Sequence, residues 1–305
     1  MMLHHFEEDG SLTNPSKCVV LLVHGLSGSG TDAYAIELVR SLRAAGMRVV
    51  SSTRRGHGDL LYTSKHISHA AAEADVAILV DALVASMGTA DSAPIVLLGV
   101  SFGGLLTLRY VSDPSLLSAR VAGALTVCAI ARPMMNSAYV ARQSGALGRF
   151  VDRAVGTMLR SQLTRSGYVQ FAALDAPRGD VRSFDERFVC PAAGFASTDA
   201  YYAAADAAPA LRERAKSARV IPVRMINALD DPVVDPASLT ALTGVDIELT
   251  DRGGHCGDPR GLRSQLVCAL RGGVGANYHA QACACFVEEI SKRGDTHSAS
   301  PVKAS

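Results

Sequence analysis

The chain has 305 residues, 48% hydrophobic and 19% charged, which excludes intrinsic disorder and allows one large α/β domain with insertions or two small domains. Its 30 Lys and Arg balance 29 Asp and Glu, and a net charge of +1 gives no basis for nucleic acid or a strongly acidic partner. The seven cysteines are odd in number and several sit in apolar runs, as expected of reduced thiols in an intracellular, cytoplasmic protein.

In chain order, the first segment, Met1 to Pro15, is polar and acidic, without the basic and apolar regions of a signal peptide. No apolar stretch reaches the length of a membrane span. Contact with a membrane surface through an amphipathic cap stays open. Six short apolar runs follow at Cys18–Val23, Met47–Ser51, Ile95–Val100, Val121–Ala129, Val220–Ala228 and, more weakly, Val245–Leu249. Runs without polar alternation suit strands covered on both faces, as in a parallel sheet.

Helical patterns lie between the runs. Ala33–Ala45 has Thr31 or Asp32 as its N-cap and Gly46 just past its end. In Glu73–Met87, Val76, Val80, Leu83 and Met87 share a face, and Gly103–Tyr110 is a short helix ended before Pro114. Near the C-terminus Cys283, Phe286 or Val287, and Ile290 share a face. Strand–helix alternation predicts a single doubly wound, mostly parallel α/β domain over 1–305 with right-handed crossovers. From about Arg132 to Lys216 the pattern is helical without strands, an insertion expected to form a helical cap within the domain. The last residues, 294–305, are expected to be a disordered tail.

Gly99-Val-Ser-Phe-Gly103 is a G-x-S-x-G string placed after a strand pattern and before a helix pattern, the context of a nucleophile elbow. A serine there stands on a sharp, strained turn, and small residues two before and two after leave room for it. The bland alternative is a glycine-rich turn with a structural serine. His24-Gly25-Leu26 follows the first strong strand and continues as Ser27-Gly-Ser-Gly30. In an α/β-hydrolase fold this loop supplies the second oxyanion donor, so the expected pair is the backbone N–H groups of Leu26 and Phe102. A phosphate-binding reading fails, because the glycines do not fit G-x-G-x-x-G and no Gly-Lys-Ser/Thr follows.

Asn227-Ala-Leu-Asp-Asp-Pro232 ends the fifth run and Gly253-Gly-His255 follows the sixth. Ser101, an aspartate and His255 then occur in the chain order of this fold's triad, each after a strand end. Either Asp230 or Asp231 can hold the histidine. Asp231 is chosen because it directly precedes Pro232 in an Asp-Pro-Val-Val run resembling the acid turn of many α/β-hydrolases; Asp230 is expected to face solvent or cap the turn. Unassisted, an Asp-Asp-Pro turn and a glycine-flanked histidine are ordinary loop features. His24 is expected to order its loop, His57 to lie near the site, and His66 and His69 to sit on a helix surface. Cys256 reads as packing. Cys283-Ala-Cys285 is too close for zinc spacing, so neither a metal nor another cofactor is expected.

Several pieces together resemble the YheT-like branch of the α/β-hydrolases, AB hydrolase family 4. They are His24-Gly-Leu-Ser-Gly-Ser, Arg54-Arg-Gly-His-Gly, Gly99-Val-Ser-Phe-Gly-Gly, Ser183-Phe-Asp185, Gly194-Phe195, Asp199-Ala-Tyr-Tyr202, Ile226-Asn-Ala-Leu-Asp-Asp-Pro232 and Gly253-Gly-His-Cys-Gly257. The resemblance implies esterase or lipase action on carboxylic esters or acyl lipids, with Ser101, Asp231 and His255 as the triad. Three departures stand out. Only about 18 residues precede the first strong strand, so the usual leading strands look shortened or absent; Val233 stands where Phe is frequent; and Asp258 replaces an aromatic. The expected activity is ester hydrolysis through an acyl-enzyme, with kcat/KM rising as His255 deprotonates near roughly pH 6–7. Acyl transfer by the same triad, haloperoxidase-like or carbon–carbon bond chemistry, and a catalytically idle ligand-binding protein on the same fold are the alternatives.

Overall fold

A computed structural model describes residues 1–6, 18–143, 145–170, 179–217, 219–257 and 278–298. Among the described residues seven strands form one sheet: β1 (Met2–His5), β2 (Val19–Val23), β3 (Arg48–Thr53), β4 (Ile95–Val100), β5 (Val121–Val127), β6 (Val223–Ala228) and β7 (Asp246–Thr250), in the order β1-β3-β2-β4-β5-β6-β7. Among these strands only the β1–β3 pairing is antiparallel. The six predicted strands are all present. β1 went unread: four residues at the sheet edge, two of them histidine, carry no apolar run.

The uninterrupted apolar character of β2 and β4 has its physical cause in the layers above and below them. Val19, Leu21, Ile95 and Leu97 enter one core with α2 (Ala74–Met87) and α3 (Phe102–Ser112). Val20, Leu22, Val96 and Leu98 enter the other with α1 (Ala33–Ala44) and the last helix, Tyr278–Ser298. Successive strand residues point to opposite faces, so a strand covered twice must be apolar at every position. Gly46, at φ 79°, ends α1 as expected. Asp32 occupies the N-cap position but turns its carboxylate to Ser29, accepting from Ser29 N–H at 2.9 Å and from its hydroxyl at 2.7 Å.

Between β5 and β6 the described residues form helices without strands: α4 (Pro133–Gln143), α5 (Gly145–Arg165), α6 (Val181–Phe184), α7 (Cys190–Ala193), α8 (Thr198–Ala205) and α9 (Ala207–Arg214), with a π-helical turn at Asp185–Val189. After β6 comes α10 (Pro236–Thr240), and the last helix is α11. α11 runs through Ser298, into the stretch expected to be disordered. The rest of that tail and Asp258 lie outside the described residues. His66 and His69 lie in a loop rather than on a helix, because the segment before α2 is irregular. No helix among the described residues is long and apolar enough to cross a membrane.

Candidate active site

The loops leaving β2, β4, β5, β6 and β7 all emerge at the carboxyl edge of the parallel sheet, the edge where α/β folds gather their reactive groups. Ser101 leaves β4 and precedes α3 with φ 52° and ψ −115°. For a non-glycine residue this is a strained conformation, costing on the order of 1–3 kcal/mol. Its surroundings hold it there: Ser101 N–H donates to Val127 O at 2.8 Å, and its carbonyl accepts from Leu105 N–H at 3.2 Å. The glycines permit the turn. A Cβ on Gly103 would stand 2.2 Å from Val23 O and 2.4 Å from His24 O, which no side chain fits.

Ser101, Asp231 and His255, separated by up to 154 residues in sequence, come together. Ser101 Oγ lies 2.8 Å from His255 Nε2, and His255 Nδ1 lies 2.9 Å from Asp231 Oδ2. Asp231 is fully buried. Its Oδ1 accepts from Val233 N–H at 2.7 Å and Val234 N–H at 3.1 Å, which leaves Oδ2 aimed at the imidazole. The network assigns the ring proton to Nδ1 and the lone pair to Nε2. Burial pushes the His255 pKa down, but the hydrogen bond and charge of Asp231, helped by Cys128, outweigh it, so the pKa stands above the ordinary 6.5. Asp230 is exposed and accepts from Gly254 N–H at 2.7 Å, so it fastens the histidine loop rather than the histidine.

The loop after β2 abuts the elbow. A Cβ on Gly25 would lie 3.5 Å from Ser101 Cβ. Leu26 follows, and Phe102 is the first residue of α3, where a backbone N–H has no intrahelical acceptor. Two side chains grip the Gly25 carbonyl: His24 Nδ1 at 2.8 Å and Arg54 Nη2 at 2.9 Å. That carbonyl shares its peptide with Leu26 N–H, so a cationic donor on the oxygen polarises the amide toward stronger donation. His24 Nε2 accepts from Arg54 N–H at 3.0 Å, and burial with the nearby Arg54 charge holds the ring neutral. It orders the loop, as its sequence position predicts.

Arg54 is the residue that sequence reading missed. It is fully buried and has no carboxylate within ion-pair distance among the described residues. Its guanidinium donates to Gly25 O and to Ser68 Oγ at 2.7 Å, and lies 4.8 Å from the centre of the Phe102 ring. Burial lowers its pKa to about 10, so it remains a cation at neutral pH. The neighbouring Arg55 pairs with Asp75 at 2.6 Å. His57 is buried beside Arg54 and held neutral by burial first and that charge second.

A cavity of about 200 Å³ lies between the sheet edge and the helices inserted after β5. Its walls are mainly apolar, including Leu105, Ile130, Val155, Leu159 and Phe184, and it reaches Leu26, Phe102 and Val233, next in sequence to Gly25, Ser101 and Pro232. Ser101 and His255 are not themselves in its wall. At its side Asp185, in the π-helical turn, accepts from Tyr202 Oη at 2.8 Å, and burial raises its pKa to about 7. The Ser-Phe-Asp, Gly-Phe and Tyr-Tyr pieces of the sequence thus meet: Phe195 and Tyr201 rings lie 5.2 Å apart, and Tyr201 Oη accepts from Ala70 N–H at 2.8 Å.

A family model described as the alpha/beta hydrolase family matches residues 20–264, most of the chain. The chain belongs to the alpha/beta hydrolase family. Human Phospholipase ABHD3 is 25% identical over 285 residues, covering 85% of this chain and 64% of the relative. A Synechocystis sp. protein, named only provisionally as an esterase, is 29% identical over 148 residues, 45% of this chain and 38% of its own. The chain therefore spans less than two thirds of the length of these hydrolase relatives. Among solved structures, the Paleococcus ferrophilus monoacylglycerol lipase aligns at TM-score 0.54 and 16% identity, covering 95% of this chain and 100% of that one. At that identity the match speaks for the fold alone.

Proposed function

We propose that this hydrolase-family chain cleaves carboxylic esters of apolar acyl groups through an acyl-enzyme on Ser101. The observation that carries the reading is the relay from Ser101 Oγ through the two nitrogens of His255 to buried Asp231, with contacts of 2.8 and 2.9 Å. In this mechanism Ser101 Oγ attacks the ester carbonyl while its proton passes to His255 Nε2, and Asp231 stabilises the imidazolium. The tetrahedral oxygen takes hydrogen bonds from Leu26 and Phe102 N–H, each worth about 10²–10³ in rate. Collapse expels the alkoxide, which takes the proton from Nε2. Water, activated by the same nitrogen, then hydrolyses the acyl-enzyme. No cofactor enters any step.

The apolar cavity supports an acyl chain as the group accommodated beside the site. The name of the human relative, Phospholipase, and the convergence of the cap motif pieces support the YheT-like branch and an acyl-lipid substrate. A fluorophosphonate probe and an ester chain-length series on purified protein test the proposal. Wild type is expected to label and turn over, with Ser101→Ala doing neither; labelling that survives Ser101→Ala would remove Ser101 as nucleophile.

A further inference from the structure

Two thiols crowd the histidine corner without a part in the relay. Cys128, just after β5, and Cys256, just after His255, place their sulfurs and a His255 ring nitrogen within 4.8 Å of one another. Both cysteines have positive φ, 49° and 67°, and with Ser27 and Ser101 they are the non-glycine residues so strained among those described. Such a conformation persists only where the surroundings impose it. Here the loops are tied together: Cys256 N–H donates to Cys128 Sγ at 3.2 Å, and Cys128 N–H to Ile226 O at 2.8 Å.

We infer that Cys128, Cys256 and His255 form an inhibitory site for a thiophilic divalent cation of the zinc class. Two sulfurs and one imidazole match the preference of such ions for tetrahedral thiolate and nitrogen ligands, at about 2.3 Å to sulfur and about 2.0–2.1 Å to nitrogen. Ligands on one tetrahedral centre then lie somewhat under 4 Å apart, so the present spacing needs only a small contraction. Cys128 is buried while Cys256 and His255 are half-exposed, which gives the ion a path from solvent and leaves a fourth position for water. Binding is stoichiometric in protons: one M²⁺ enters and the two thiol protons leave to solvent.

The consequence follows from the imidazole's existing engagements. Nε2 faces Ser101 Oγ and Nδ1 faces Asp231 Oδ2. Whichever nitrogen gives its lone pair to the metal, one relay contact is lost, so the bound ion switches the site off. Only this inhibitory consequence rests on the proposed esterase reading; the ion site does not.

Cobalt(II) titration of the reduced full-length chain tests the site without turnover. Wild type and Ser101→Ala are expected to develop a thiolate-to-cobalt charge-transfer band saturating at one equivalent, absent from Cys128→Ala and Cys256→Ala. In the activity arm, zinc is expected to inhibit ester hydrolysis reversibly, with a chelator restoring it. Either cysteine variant, active without metal, is expected to need more than about 100-fold more zinc, since losing even an outer-shell partner costs about 10–100-fold. No thiolate band in wild type, or a band that persists in both cysteine variants, overturns the site. A band without any ester turnover sinks the esterase reading and leaves the metal site standing.

Discussion

The two corners of the candidate active site are held by different means. The serine corner grows from β4, every residue of which is buried, and its geometry is a backbone property: a strained φ, two glycines and the close approach of Val23 and His24 carbonyls. The histidine corner grows from β7, an edge strand with no buried residue, and is held by side chains, with Asp231 on the ring and Asp230 on the loop amide. A serine fixed by core packing and a histidine fixed by polar contacts will respond differently to substitution, pH and ions.

The largest effect is expected where the side-chain corner is broken. Asp231→Asn should lower kcat about 10⁴-fold, since the amide favours the wrong imidazole tautomer. Asp230→Asn keeps an acceptor oxygen for Gly254 N–H and should cost less than about tenfold; steady-state kinetics giving the reverse ranking would reassign the acid. At the serine corner, Arg54→Met should reduce kcat about 10²-fold with KM little changed, because in the proposed mechanism the polarised Gly25–Leu26 peptide serves only the charge that develops in the transition state. Thermal unfolding of this variant should not drop in step, since an apolar replacement for a buried, ion-pair-free cation is often neutral to stability. Parallel losses in kcat and Tm would make Arg54 merely structural.

A pH series sharpens the contrast. Protonated His255 cannot take the serine proton, and Asp231 raises its pKa above 6.5, so kcat/KM should climb with a midpoint above pH 6.5, at the upper part of the sequence-based window or beyond. A flat profile between pH 5 and 8 would remove His255 as base. The smallest effect lies away from both corners. Asp185 has its folded pKa raised to about 7 by burial, so it favours folding fully below its unfolded value near 3.9 and loses that contribution as pH rises through about 7. Asp185→Asn should therefore flatten the decline of Tm with pH across that window; an unchanged slope would place the titrating group elsewhere.

The sequence by itself determined six of the seven described strands, their flanking helices and the chain order of serine, aspartate and histidine. Double-sided burial forces uninterrupted apolar runs, and the turn at Ser101 and the loop after β2 need glycine at fixed offsets such as Gly99, Gly103 and Gly25. It also favoured Asp231 over Asp230 through Pro232; in the structure Asp231 meets the His255 ring and Asp230 the Gly254 amide. β1 escaped because antiparallel edge pairing needs no apolar run, and His69 was misplaced because an irregular segment packed on Phe195 and Tyr201 has no periodicity to read. Arg54 and the Cys128–Cys256 pair were decided by tertiary structure alone. A buried cation gripping a loop carbonyl 29 residues away, or two sulfurs 128 positions apart beside one imidazole, leaves no local pattern, because what defines each is the company it keeps after the loops converge.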